Sequence, residues 1–93
     1  MKLDDKGEMQ QALLDKQRKF ENDPKNLTAA YKYFRELNRN QKFQTVIRLY
    51  GNYEAEYRTH SDRNLTSKVQ DQHDYAQKNL DSLADVAKNL HDP

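Results

Sequence analysis

Ninety-three residues make at most one domain with one small core, and a large enclosed pocket is excluded. There is no cysteine, so disulfides and thiolate metal sites are excluded, while sixteen basic residues nearly balance fifteen acidic ones. No window approaches the roughly 18 apolar residues of a membrane span. Met1-Lys2-Leu3-Asp4-Asp5 has no apolar run of the kind a secretory signal needs, so a cytoplasmic protein with no membrane partner is the expectation.

Leu, Ile, Val and Phe number only seventeen, so the nine aromatic residues must supply much of the core. Two glycines, two prolines and the lack of any strand-like alternation predict an all-α fold. The expected architecture is a small antiparallel bundle of four helices, approximately residues 6–21, 24–38, 41–58 and 62–90, the last one longest.

In the first helix, Met9, Leu13 and Phe20 share a face, with Ala12 and Leu14 beside it. Asn22-Asp23-Pro24 ends it, because proline disfavours helical geometry at the residue before it and suits a first helical position. Asp23 is the expected N-cap of the second helix, on which Leu27, Ala30, Tyr31, Phe34 and Leu37 recur at spacings of three and four. Arg39-Asn40-Gln41 is a short polar connection, which makes the flanking helices antiparallel neighbours.

Phe43, Tyr50 and Tyr57, separated by seven, form one stripe of the third helix, with Val46, Ile47 and Tyr53 near it. Gly51 in its middle costs about 1 kcal/mol relative to alanine, which predicts a close helix crossing or a kink there. Ser61 or Asp62 is the expected cap of the fourth helix. There Val69, Ala76, Leu83 and Leu90 fall every seven residues, with His73, Leu80 and Ala87 four after the first three, an a/d seam of three heptads. At 1.5 Å per residue such a helix reaches about 42 Å, longer than its partners, so Val69, His73, Ala76, Leu80, Leu83 and Leu90 form a candidate homodimer seam.

Charge is unevenly placed. Residues 25–48 carry Lys25, Lys32, Arg35, Arg39, Lys42 and Arg48 against Glu36 alone, and the chain from Leu49 onward is net acidic. Lys32, Arg35, Arg39, Lys42 and Arg48 are therefore the candidate interaction surface, for another protein first and for nucleic acid second, since most aromatic rings fall on the apolar faces and are not stacking platforms.

Chemistry beyond binding finds no support. Asp71 and Asp74 are poorly placed to join His73 on one helix face, and no second histidine follows at four. Glu54 and Glu56 do not share a face, and the serines lack an activating signature. No catalysis, metal or cofactor is expected. Asn26-Leu27-Thr28 and Asn64-Leu65-Thr66 match a glycosylation acceptor pattern and read more simply as helix starts. They also give a faint echo thirty-eight residues apart.

The stretch from Ala30 to Tyr50, with its polar turn at Arg39-Asn40-Gln41 and with Phe43, Val46-Ile47 and Tyr50 on the helix that follows, resembles a helical hairpin of the tetratricopeptide or pentatricopeptide type. Phe34, Val46 and Tyr53 stand where such units place small residues, and the proline expected after the second helix is absent, with Arg58 near its position. The resemblance implies interaction through helical surfaces. The expected function is thus a small non-enzymatic interaction or regulatory protein, such as an inhibitor or immunity-type protein. A nucleic-acid-binding module and a structural subunit of a larger assembly are the alternatives.

Overall fold

The computed structural model describes the backbone of residues 2–91 and the side chains of residues 11–84. Among the described residues the chain is all-α and forms a small bundle of α1 (Lys2–Asn22), α2 (Leu27–Arg39), α3 (Phe43–Asn52), α4 (Glu54–Arg58) and α5 (Arg63–His91). The central helix is α2, which packs on α1, α3 and α5, and α3 lies against α5 as well. The bundle measures 50 × 39 × 19 Å. Its short dimension is under two helix diameters of about 10–12 Å, so the molecule is a slab whose recesses are grooves between helices.

Aromatic rings fill the core. Phe20, Tyr33, Phe34, Phe43, Tyr50 and Tyr57 are buried with Leu27, Ala30, Leu37, Val46, Val69 and Ala76. Phe20 ties α1 to the rest, its ring centre 5.2 Å from that of Tyr33, 5.6 Å from Phe34 and 6.0 Å from Tyr53. Each aromatic ring removes about 150–250 Å² from water, which is how a chain poor in aliphatic residues closes a core. The expected stripe of Phe43, Tyr50 and Tyr57 is buried as a unit.

Besides α1, which begins at Lys2 rather than near residue 6, two boundaries differ from the sequence reading. Asp23 does not cap α2. Its amide donates to the Phe20 carbonyl and its own carbonyl accepts from Asn26, so residues 23–26 are a turn. Asn26 is the cap, its Oδ1 accepting from the Ala29 amide at 3.1 Å. In the same turn the Tyr57 hydroxyl, 33 residues away, donates to the Pro24 carbonyl at 2.6 Å and ties the turn to α4.

The second difference is the break of the expected third helix into α3 and α4 at Tyr53, which takes φ −124°, ψ 17° and donates back to the Tyr50 carbonyl at 3.1 Å. Gly51 has open space where a Cβ would point, so no close crossing explains it. Gly51 and Asn52 are weak helix formers, and the change of direction carries Tyr57 inward to Pro24.

The other two caps follow local chemistry. After α2, Lys42 N–H bonds to the Leu37 carbonyl at 2.8 Å and Gln41 N–H to Asn38 at 3.0 Å, a Schellman closure with Gln41 at φ 60°. Asp62 caps α5 as expected, accepting from the Leu65 amide at 3.1 Å.

Candidate interaction surface

The outward face of α2 carries Lys32, Arg35 and Arg39 because its inward face is taken by Leu27, Ala30, Tyr33, Phe34 and Leu37. On one side α1 runs alongside and adds Lys16 and Lys19. The result is a cleft of about 410 Å³ walled by Lys16, Lys19, Lys32 and Arg35, with Ala12 and Ala29 as a small-residue floor and Asp15 as its one acidic side chain. Four cations around one groove attract an anionic group, most strongly at low salt.

Arg35 and Lys16 have internal partners. The Arg35 guanidinium carbon lies 5.2 Å from the centre of the Tyr31 ring, and Lys68 Nζ of α5 lies 5.8 Å from the same ring. Two positive groups thus lie near the Tyr31 ring. Glu36, 8% exposed, meets Arg39 at 3.6 Å and Lys16 at 4.0 Å. Both separations are long, and Arg39 is exposed, so these pairs orient side chains more than they stabilise the fold.

The five basic candidates do not form one surface. Lys32 and Arg35 line the α1/α2 cleft, and Arg35 also lines a second cleft, between α2 and α5, together with Arg39. Lys42 lies in a groove beside Phe43, Leu80 and Leu83, and Arg48 lies with Gln44 and Thr45. Arg48 is also close enough to the Tyr33 phenol to oppose the upward pKa shift that burial, and then Glu21, impose on it.

The second cleft holds an amide pair. Asn38, 5% exposed, donates through Nδ2 to the Gln72 carbonyl at 3.0 Å and to Gln72 Oε1 at 2.9 Å. Its Oδ1 and the Nε of Arg35 are buried and have no hydrogen-bond partner.

The candidate seam divides along α5. Val69 and Ala76 are fully buried against the other helices, Leu80 is packed at the edge of the core, and His73 stacks on Tyr50 with ring centres 4.5 Å apart. Val69 and Ala76 are therefore intramolecular core and present no surface to a second copy. Leu83 is 57% exposed, and Leu90 lies outside the residues whose side chains are described. Contrary to the face argument, Asp74 does reach His73, with Oδ1 3.1 Å from Nδ1, because adjacent side chains can bend together across the surface of a helix. Asp71 points elsewhere, lining the α2/α5 cleft. No cluster of three metal-ligating side chains occurs among the described residues, and no described helix is long and apolar enough to cross a membrane.

Reading the sequence missed Lys16, Lys19, Lys68, Asn38 and Gln72. The lysines stand on other helices from the basic segment, and no local charge run marks them. Asn38 carries a faint signal, an amide one residue after Leu37 on a helix whose apolar face includes that leucine. Compared with known proteins, the chain matches no family model, no curated protein and no solved structure.

Proposed function

We propose that the chain is a non-enzymatic binding module that docks an acidic segment of another protein in the cleft between α1 and α2. The observation that carries this reading is the convergence of Lys16, Lys19, Lys32 and Arg35 on one groove with a small-residue floor. A groove between two helices accepts an extended or helical segment, and its alanines let the backbone of that segment approach closely. Nucleic acid is the weaker reading. The buried aromatic rings leave few platforms for bases, and Lys42 and Arg48 line other recesses than the cleft.

Titration with a polyglutamate peptide and, in parallel, with a single-stranded oligonucleotide tests the choice. Saturable binding of the peptide that weakens with salt, with amide shifts centred on Lys16, Lys19 and Lys32, is expected. Tighter binding of the oligonucleotide, with a steep salt slope and shifts spread over Lys42 and Arg48, would replace the protein-docking reading with the nucleic-acid one.

A further inference from the structure

Glu36 is the one acidic residue between Lys25 and Arg48, and it is buried. A single oxygen of its carboxylate, Oε2, meets two cations: Lys16 Nζ at 4.0 Å and Arg39 Nη1 at 3.6 Å. The two belong to different recesses. Lys16 walls the α1/α2 cleft, and Arg39 lines the cleft between α2 and α5.

A carboxylate 4.0 Å from Lys16 partly neutralises the charge that the α1/α2 cleft offers to an acidic segment. The Lys16 side chain is 28% exposed and can be reached from the cleft, whereas that of Glu36 is 10% exposed and is covered. Taking the only counter-ion from a buried carboxylate is strongly unfavourable, because an uncompensated charge stays behind. Glu36 has a second one. When Lys16 swings away on its flexible four-carbon stem, Arg39 remains at the same oxygen.

We infer that Glu36 is a resident counter-ion of Lys16 that an incoming carboxylate displaces, and that Arg39 sets how firmly Glu36 holds Lys16. This role rests on the docking function proposed above and names what regulates that cleft. Glu36 is a positioning residue, since it touches Lys16 and not the docked segment. Before docking, Lys16 is shared with Glu36; after docking, Lys16 pairs with the segment and Glu36 keeps Arg39. Loss of the buried acid therefore tightens docking. Loss of Arg39, which does not line the α1/α2 cleft, weakens it, because Glu36 is then left with Lys16 as its one cation.

Titration with polyglutamate at low salt reads the exchange. Glu36→Gln is expected to bind the peptide about three- to tenfold more tightly than the parent. Glu56→Gln, the same charge change at an exposed position on α4, should tighten it less than about twofold. In a Lys16→Met background Glu36→Gln should do no more than Glu56→Gln does. Arg39→Gln should weaken binding about threefold in the parent and distinctly less beside Glu36→Gln. In carbon spectra the Glu36 carboxylate resonance should move on Lys16→Met, and in the same direction when the parent is saturated with peptide, since both take Lys16 away. Equal tightening by Glu36→Gln and Glu56→Gln, tightening that persists in Lys16→Met, or a Glu36 resonance that stays in place on saturation overturns this role and leaves the docking function standing. If Glu36→Gln fails to fold, Arg39→Gln and the parent's Glu36 resonance decide: unchanged affinity or a stationary resonance overturns the role. Absence of polyglutamate binding by both the parent and Glu36→Gln removes the docking function, and the role of Glu36 with it.

Discussion

The Tyr57 hydroxyl ties α4 to the turn between α1 and α2, and Tyr57→Phe removes that contact while keeping the ring. The ring is fully buried, 5.8 Å from Tyr50, 6.1 Å from Tyr53 and 6.3 Å from Phe34, so packing changes little. What is lost is the 2.6 Å bond to the Pro24 carbonyl, which is left without that partner. A buried hydrogen bond whose acceptor is orphaned is worth about 1–3 kcal/mol. For a domain of this size that lowers the melting temperature by about 4–8 °C for each kcal/mol lost.

The same hydroxyl also sets a pH dependence. Burial first, then the neighbouring Tyr53, Glu56 and Tyr50, push the Tyr57 phenol far above its usual value. A group whose folded-state pKa is raised lends its full stability below its unfolded pKa, about 10 for tyrosine, and loses it as the pH climbs from there. Stability should therefore fall above about pH 10, by up to about 1.4 kcal/mol per pH unit for each such tyrosine. Tyr33, raised by burial, adds to the decline in the same direction. Urea unfolding followed by circular dichroism, repeated from neutral to alkaline pH, should show Tyr57→Phe less stable at neutral pH and with a shallower alkaline decline. Tyr50→Phe is the control. That phenol raises the pKa of the nearby Arg58, yet its buried oxygen meets no partner of hydrogen-bond geometry, so its removal should change stability little. Coincident midpoints for Tyr57→Phe and the parent, with parallel alkaline declines, would refute the role of the Pro24 bond.

Three further substitutions probe the local readings. Gln41→Gly should stabilise the chain by about 1 kcal/mol in thermal unfolding, because Gln41 holds φ 60°, where a side chain is strained and glycine is not. Asn26→Ala should cost about 1 kcal/mol in chemical unfolding and Asp23→Ala distinctly less, the reverse of what Asp23 as the α2 cap would give. Leu83→Asp should remain folded within about 0.5 kcal/mol of the parent, since the side chain is mostly exposed, and scattering mass beside circular dichroism would show whether that surface pairs two copies.

The parts of the fold that sequence spacing revealed are those where neighbours in the chain decide the outcome. Phe43 and Tyr50 keep helical phase across a seven-residue step within α3, and Asp62 caps α5 through a contact three residues away. Asp23 and Asn26 are both good capping residues, and sequence spacing alone does not choose between them; in the folded chain the turn before Asn26 is tied to Tyr57, remote in the chain. The break at Tyr53 is of the same kind, because Gly51 and Asn52 weaken a helix by too little to decide where it ends.

The heptads of α5 showed which face is apolar without showing how far the other helices cover it, so Val69 and Leu83 looked alike although one is core and the other exposed. The basic segment was visible as composition. Its division into separate surfaces was not, because Lys42 and Arg48 leave the α2 face at the Gln41 turn, while Lys16 and Lys19 reach the cleft from another helix.

Charge reversal at two points tests the docking cleft most directly. Lys19 and Lys32 are exposed and share the α1/α2 cleft, whereas Lys42 and Arg48 are exposed and lie elsewhere. With helicity unchanged in both, Lys19→Glu with Lys32→Glu should weaken polyglutamate binding at least about tenfold at low salt, and Lys42→Glu with Arg48→Glu, of equal charge change, should alter it less than about threefold. Equal losses in the two variants would show that net charge alone draws the peptide, and the cleft would have no claim to be the docking site.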